Sequence, residues 1–140
     1  MKNKNKNLDP QNILEVIKNL PTQILIAQNS PKIKLQSPHL FIGAMGGSAF
    51  PVDILRAFLD ETKHNQKLQT GLVRDYNIPT GLTADYCGIF ISYSGNTAET
   101  ISLLHQAEKK KLKQIIIIAH DGELTEIAKK KNYPLIQIPD

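Results

Sequence analysis

Three hydroxyl side chains and a glycine follow an apolar run near the middle of the chain. The segment Ser92-Tyr93-Ser94-Gly95-Asn96-Thr97 comes after Cys87-Gly88-Ile89-Phe90-Ile91, which is short and β-branched, as buried strands are. Helical spacing of apolar residues begins directly after the segment. A strand-to-helix turn offers backbone N–H groups and the positive end of a helix dipole, and both favour an anion. The hydroxyls of Ser92, Ser94 and Thr97 can donate further hydrogen bonds, so the segment predicts a site for a small phosphate ester.

These residues also have a simpler explanation. Asn96 followed by Glu99, or Thr97 alone, makes an ordinary helix N-cap that needs no ligand. Two serines and a glycine ahead of the cap exceed what capping requires, which favours a binding loop and leaves the capping explanation open. Glu99 is the carboxylate nearest to the segment in sequence. It is a candidate catalytic base, with helix capping as its alternative role.

A second glycine-rich turn, Gly43-Ala44-Met45-Gly46-Gly47-Ser48-Ala49, follows the apolar run Leu40-Phe41-Ile42. Its glycine spacing does not fit the dinucleotide fingerprint, and no lysine follows as a P-loop requires, so alone it is explained as a tight turn. A helix capped by Ser48 is expected next, with residues spaced for burial: Ile54, Leu55, Phe58 and Leu59. Both turns follow strands, so they lie at the same carboxyl edge of a parallel sheet. If the two strands are neighbours, the turns face each other across a crevice.

Strands and helices alternate after residue 38, which predicts a three-layer α/β domain with a five-stranded parallel sheet in flavodoxin-like order. The sequence divides into a disordered Lys/Asn-rich tail at 1–7, an N-terminal helical segment and linker at 8–37, and a single domain at 38–140. In the helical segment, Asp9 and Pro10 predict a helix start, and Pro21 predicts a break between two short helices.

Composition excludes several classes of function. The formal net charge of +4 comes largely from lysines in the tail and at predicted helix ends, so neither a nucleic-acid nor a membrane partner is expected. The single cysteine, Cys87, lies in a predicted strand, which argues against a disulfide framework. No His, Cys, Asp and Glu cluster has metal-ligand spacing, so neither a metal nor a cofactor is expected. Without a signal-peptide pattern, the predicted location is the cytoplasm.

Several segments together resemble the SIS (sugar isomerase) domain: Met45-Gly46-Gly47-Ser48-Ala49, Arg74-Asp75-Tyr76, and Ser92 through Thr97 with Glu99-Thr100. More narrowly, the chain from about residue 8 onward is similar to the amino-terminal half of bifunctional phosphoglucose/phosphomannose isomerases. The resemblance implies a five-stranded parallel sheet between helices and a hexose phosphate ligand. It implies that three residues hold the phosphate: Ser92, Ser94 and Thr97. It also implies that the glycine-rich turn closes over the sugar: Gly46, Gly47 and Ser48.

The chain departs from the family pattern at two turns. Pro51-Val52 stand where the family has further glycines, and Ala119-His120-Asp121-Gly122 stand where it has Thr-Ser-Gly-Gly. The resemblance places the family's base glutamate, ring-opening histidine and a lysine in or around a second half, beyond this sequence. His64 and His120 are residues that a neighbouring subunit could borrow. The alternatives are a surface position for His64 and a loop position near the pocket for His120.

Three functional hypotheses follow. The chain is the N-terminal part of a glucose-6-phosphate/mannose-6-phosphate aldose–ketose isomerase whose second half supplies the base. Alternatively, it is a stand-alone isomerase that works as an oligomer, or a non-catalytic phosphosugar-sensing or regulatory domain. In each case the ligand is a hexose phosphate. The expected protein partner is a second copy or a separate C-terminal half, because a half-enzyme exposes apolar surface that the other half would cover.

Overall fold

A computed structural model of the chain describes residues 9–62 and 67–139 and comprises two compact units, residues 1–32 and residues 33–140. The predicted tail at residues 1–7 and His64 lie outside the described residues. Within the described ranges, no helix is long and apolar enough to cross a membrane.

Over residues 9–32, the described part of the first unit, the chain forms one helix, α1 (Ile13–Gln28). The helix begins three residues later than predicted, with Asn12 rather than Asp9 in the N-cap position and Pro10 before the helix. The Asp9 carboxylate still accepts hydrogen bonds from the backbone N–H groups of Ile13 (2.7 Å) and Leu14 (2.9 Å) in the first turn. The predicted break at Pro21 is wrong, because the helix runs through this residue. A proline removes one intrahelical hydrogen bond, and here the turns on either side continue the helix without it.

The second unit is built on a five-stranded parallel sheet with the strand order β2-β1-β3-β4-β5. Its elements are β1 (His39–Ala44), α2 (Gly46–Glu61), β2 (Gln69–Val73), β3 (Cys87–Ser92), α3 (Ala98–Lys109), β4 (Gln114–Ala119), α4 (Glu123–Lys131) and β5 (Leu135–Gln137). The sheet confirms the predicted fold class, including its flavodoxin-like order.

Alternate residues of the central strands enter two separate cores. Phe41 of β1 and Phe90 of β3 pack edge to face, with ring centroids 5.9 Å apart, in the core that contains the buried side of α3 and α4. Ile42 and Cys87 point to the other face of the sheet, where Val52 of α2 covers them. Helices therefore cover both faces of the sheet, as the three-layer prediction requires.

The prediction that Ile54, Leu55 and Phe58 are buried is wrong. Helix α2 buries Ala49, Val52 and Leu59, and the three predicted core residues are exposed. The apolar spacing identified an apolar face, but α2 is apolar on two opposite faces. Periodicity alone cannot tell which of the two packs on the sheet.

Candidate functional site

The two predicted turns meet at the carboxyl edge of the sheet. Strands β1 and β3 are neighbours, with Ala44 level with Ile91, so both turns leave the sheet at the same height. The chain continues from β1 to one side of the sheet and from β3 to the other. Such a switch point opens a crevice where α/β proteins bind ligands. The Tyr93 N–H donates a hydrogen bond to Ser48 Oγ (3.4 Å), which joins the two turns directly.

The glycine-rich turn is shorter than predicted, because α2 begins at Gly46 with Met45 in the N-cap position. Ser48 therefore lies inside the first turn of the helix, and the prediction that it caps α2 is wrong. Its hydroxyl instead accepts the hydrogen bond from the second turn. Gly46 has φ of +50°, and a Cβ added to Gly46 or Gly47 would meet no atom within 4 Å. The backbone of both glycines is therefore open to a ligand.

The hydroxyl loop is organised around Ser92, which is buried. Ser92 Oγ lies 2.8 Å from Thr97 Oγ1 and 3.5 Å from Ser94 Oγ, and it accepts a hydrogen bond from the Gly95 N–H at 3.2 Å. Ser94 is exposed, and Thr97 is half-buried. Ser92 thus forms the floor of the loop and holds the Thr97 hydroxyl in place.

The capping explanation does not account for these side chains. Thr97 is the N-cap residue of α3, but its side chain makes no capping hydrogen bond. Asn96 caps a different helix: its Oδ1 accepts a hydrogen bond from the Glu123 N–H (3.0 Å) at the start of α4. The role of Asn96 was missed because its partner lies 27 residues away in sequence. No local pattern signals such a contact.

Two glycines lock the hydroxyl loop against the turn between β4 and α4. Gly95 has φ of +67° and Gly122 has φ of +79°, a region that residues with a side chain rarely adopt. A Cβ on Gly95 would lie 1.6 Å from the Asp121 carbonyl oxygen, and one on Gly122 would lie 2.3 Å from the Ser94 carbonyl oxygen. The Leu124 N–H also donates to the Gly95 carbonyl (3.0 Å). The β4–α4 turn is therefore a positioning element of the loop.

His120 lies in this same turn, beside the hydroxyl loop. The His120 ring stacks on the Tyr93 ring, with centroids 5.1 Å apart and planes inclined by 12°. The backbone N–H of His120 donates a hydrogen bond to the Tyr93 carbonyl oxygen (3.0 Å). His120 Nδ1 lies 2.8 Å from the Ile138 carbonyl oxygen. Because a carbonyl only accepts, Nδ1 carries the proton. His120 thus connects the ends of β3, β4 and β5, as a loop residue near the site.

Charged and phenolic groups lie on the β2 side of the site. Arg74 directly follows β2 and forms an ion pair with Asp53 of α2. The Glu99 carboxylate lies beside Tyr76 and raises the pKa of that phenol, with desolvation and a hydrogen bond between the two side chains adding to the effect. The Tyr76 carbonyl accepts hydrogen bonds from Ser102 and Gln106, which fixes this segment along α3. Glu99 therefore faces Tyr76 and stays a candidate base without an assigned substrate contact.

In residues 9–62 and 67–139, no three His, Cys, Asp or Glu side chains lie close enough together to hold a metal ion. The donors at the crevice are instead hydroxyls and backbone N–H groups, which are suited to binding an anion.

Comparison with known proteins identifies relatives that act on sugar phosphates. The bifunctional phosphoglucose/phosphomannose isomerase of Caldicellulosiruptor bescii is 37% identical over 134 residues, which cover 91% of this chain and 38% of the relative. The D-glucosamine-6-phosphate 4-epimerase of Sulfolobus acidocaldarius is 32% identical over 114 residues, which cover 81% of this chain and 34% of the relative. The chain is a homologue of the bifunctional phosphoglucose/phosphomannose isomerases. It spans little more than a third of the length of these two relatives. No protein-family model matches the sequence.

Solved structures share the fold of this isomerase homologue. Tagatose-6-phosphate ketose/aldose isomerase from Escherichia coli superposes with a TM-score of 0.58 and 21% identity, covering 91% of this chain and 35% of that chain. The NanR protein of Vibrio vulnificus, complexed with ManNAc-6P, gives a TM-score of 0.56 and 14% identity, covering 96% and 54%. At these identities the likeness establishes the fold alone, which is the SIS-type fold expected from the sequence.

Proposed function

We propose that this chain binds a hexose phosphate in the crevice between the two turns, as the N-terminal part of a glucose-6-phosphate/mannose-6-phosphate aldose–ketose isomerase. Ser94, Thr97 and the first turn of α3 receive the phosphate, and Ser92 holds the Thr97 hydroxyl from below. The open backbone of Gly46 and Gly47 faces the sugar. Ser48 joins the two sides.

One observation carries the proposal: the turns after β1 and β3 are neighbours and are linked by the hydrogen bond from Tyr93 to Ser48. The crevice therefore combines a hydroxyl-rich wall next to a helix N-terminus with a second wall in which Gly46 and Gly47 carry no side chains. A dianionic ester suits the first wall, because its oxygens accept hydrogen bonds from hydroxyls and N–H groups. A sugar ring suits the second, because nothing blocks its approach to the backbone.

Isomerisation also needs a base that moves a proton between adjacent carbons, and an acid that opens the ring. The chain aligns with little more than a third of its relatives' length, and we propose that the remaining catalytic groups come from a partner. That partner is a second copy or a separate C-terminal half. We further propose that the protein works in the cytoplasm, where a single buried thiol such as Cys87 stays reduced.

The phosphate half of the proposal is tested with the double variant S94A/T97A. The purified chain is titrated with inorganic phosphate, glucose 6-phosphate and mannose 6-phosphate, with glucose as the unphosphorylated control, by isothermal titration calorimetry. Hydrogen bonds to a charged group contribute about 1.5–3 kcal/mol each, so losing two weakens binding by about 100-fold or more. Unchanged affinity for all three phosphates would refute the assignment.

The sugar half is tested separately with Gly47→Ala. The added methyl group meets no protein atom, so the fold should be unaffected. We expect affinity for the two hexose phosphates to fall while affinity for inorganic phosphate is unchanged. Gly81→Ala is the matched control, because its Cβ also meets nothing within 4 Å and it lies in another loop. Equal losses for phosphate and hexose phosphate would show that Gly47 does not face the sugar.

A turnover assay decides between catalysis and sensing. If the base comes from a separate half, the purified chain binds glucose 6-phosphate but does not convert it to fructose 6-phosphate. Turnover by the chain alone would support the hypothesis of a stand-alone oligomeric isomerase. The alternative function is a non-catalytic phosphosugar sensor; NanR, which shares the fold, is complexed with ManNAc-6P. It predicts binding without turnover even when a C-terminal half is supplied.

A further inference from the structure

Tyr93 is an exposed aromatic residue in the middle of the hydroxyl loop. It exposes 53% of its surface, although Ser92 directly before it is buried. Its backbone N–H donates the hydrogen bond to Ser48 Oγ that joins the two turns of the crevice. The Tyr93 side chain therefore leaves the backbone at the point where the hydroxyl loop meets the glycine-rich turn. A role in the core does not explain it, because more than half of the residue is exposed.

The Tyr93 ring is supported by His120. The two rings are nearly parallel, with planes inclined by 12° and centroids 5.1 Å apart, as in the offset stacking that aromatic rings prefer. The support is itself anchored on both sides. The His120 backbone N–H donates to the Tyr93 carbonyl (3.0 Å), and His120 Nδ1 donates to the Ile138 carbonyl (2.8 Å). The His120 carbonyl accepts a hydrogen bond from Gln137 Nε2 (3.0 Å). The stack therefore fixes the orientation of an exposed ring.

Strand order indicates which face of the Tyr93 ring is open. His120 directly follows β4, which pairs with β3 on the side away from β1. His120 therefore covers the ring from the β4 side. The uncovered face lies on the other side, where the turn after β1 brings Gly46 and Gly47 with their open backbone. The exposed face of Tyr93 thus borders the crevice between the two turns.

We propose that a sugar ring packs on this face of Tyr93, and that His120 is a positioning residue that holds the tyrosine ring for it. The faces of a sugar ring carry C–H groups, which pack on the flat face of an aromatic ring. Ligand sites generally combine a few polar groups with apolar and aromatic surface. Here Tyr93 adds the aromatic surface between the phosphate-binding hydroxyls and the open glycine backbone. This inference deepens the proposed function and rests on it, because a sugar phosphate must occupy the crevice.

The proposal divides recognition of the ligand between two groups of residues. The phosphate is bound by hydroxyls and N–H groups, whether or not a sugar is attached to it. The Tyr93 ring contributes only when the ligand carries a ring with a C–H face. Tyr93 therefore determines specificity for sugar phosphates over inorganic phosphate and over small esters such as glycerol 3-phosphate.

Isothermal titration calorimetry of Tyr93→Ala tests the platform with glucose 6-phosphate, mannose 6-phosphate, glycerol 3-phosphate and inorganic phosphate. Losing the exposed ring face should raise the dissociation constants of the two hexose phosphates by about tenfold and leave the other two unchanged. Tyr93→Phe keeps the ring and should bind like the wild type. Phe58→Ala is the matched control, because Phe58 exposes 57% of its surface near the other end of α2. Unchanged hexose phosphate affinity in Tyr93→Ala, or an equal loss for inorganic phosphate, would overturn the proposal.

His120→Ala and His120→Phe test the positioning role, with circular dichroism as the check on folding. His120→Ala removes the support and should weaken hexose phosphate binding by about threefold. His120→Phe keeps a flat ring but loses the hydrogen bond to Ile138, so restored affinity would assign the effect to stacking. In the Tyr93→Ala background, His120→Ala should cause no further loss. A loss of the same size with and without the Tyr93 ring would overturn the positioning role.

Failure of the proposed function gives a different pattern. The wild-type chain would then bind none of the phosphates, or S94A/T97A would bind them all as tightly as the wild type, and either result would also overturn this inference. If the wild type binds hexose phosphates and S94A/T97A does not, the phosphate site stands. The affinity of Tyr93→Ala for hexose phosphates then decides the role of the ring by itself.

Discussion

Replacing Gly95 with alanine should break the contact that shapes the hydroxyl loop. The left-handed conformation of Gly95 costs an alanine about 1–2 kcal/mol. The new Cβ would lie 1.6 Å from the Asp121 carbonyl oxygen, whereas ordinary contacts begin at 3.4 Å, so the two turns must separate by about 1.8 Å. This movement breaks the hydrogen bonds from Leu124 and Glu123 to the loop, which contribute about 1 kcal/mol each. The expected loss is therefore about 3–4 kcal/mol of unfolding free energy.

Urea denaturation of the wild type and Gly95→Ala measures this loss, and a phosphate titration at low temperature measures the accompanying loss of affinity. Gly81→Ala is the control, because it adds the same methyl group where no atom lies within 4 Å. Gly122→Ala should act through the same contact, so the double variant should lose less than the sum of the two single losses. If the unfolding free energy of Gly95→Ala lies within about 1 kcal/mol of the wild-type value, the two turns are not held together by this contact.

Three further predictions concern other groups. Thr100 and Thr125 are both buried, and Thr125 Oγ1 donates to the Gly122 carbonyl (2.7 Å), whereas Thr100 Oγ1 has no hydrogen-bond partner among residues 9–62 and 67–139. In urea denaturation, Thr125→Val should therefore lower the unfolding free energy by about 1 kcal/mol and Thr100→Val should leave it unchanged. A comparable loss in Thr100→Val would show that its hydroxyl is bonded. Partial burial alone would raise the pKa of Glu108, but hydrogen bonds from neighbours including Lys131 outweigh it and hold the pKa below its ordinary value. The ionised carboxylate therefore stabilises the fold at pH values above that ordinary pKa. The unfolding free energy should fall as the pH drops below about 4.5, and it should fall less in Glu108→Gln than in the wild type. An equal fall in both proteins would contradict this role of Glu108. Burial raises the pKa of the Cys87 thiol to about 11, so a thiol reagent at pH 8 should label it only after unfolding, and rapid labelling of the native chain would contradict this.

The fold was predictable because its signals are local. Short apolar runs such as Ile115–Ile118 identify buried parallel strands, and their alternation with helices leaves few possible topologies. The same reasoning placed both turns at one edge of the sheet, where the structure brings them together. The proposed ligand roles of Ser94 and Thr97 remain predictions, because their placement beside a crevice does not by itself identify a ligand.

Three of the misses of sequence reasoning depend on contacts between segments that are distant in sequence. Ser48 is of a residue type that often caps helices and lies where the sequence predicts a cap. Its hydroxyl instead accepts a hydrogen bond from the N–H of Tyr93, 45 residues away. By sequence Asn96 is one of two candidate caps for the helix that follows it, and in the structure it caps α4 instead. Phe58 was assigned to the core because apolar spacing does not reveal which of two apolar faces meets the sheet. For Ser48 and Asn96 the residue type indicated correctly that the side chain accepts a backbone hydrogen bond, and the tertiary structure determined its partner.

The turn between β4 and α4 shows why one departure from the family pattern is compatible with an intact hydroxyl loop. The contacts that this turn makes with Gly95 use the Asp121 carbonyl and the Leu124 N–H, which are backbone groups present whatever the side chains are. The residue type is restricted at Gly122, where a positive φ and the nearby Ser94 carbonyl exclude a Cβ. In this chain Gly122 is present, and the residues before it include His120, whose ring stacks on Tyr93 beside the loop while the backbone support stays in place.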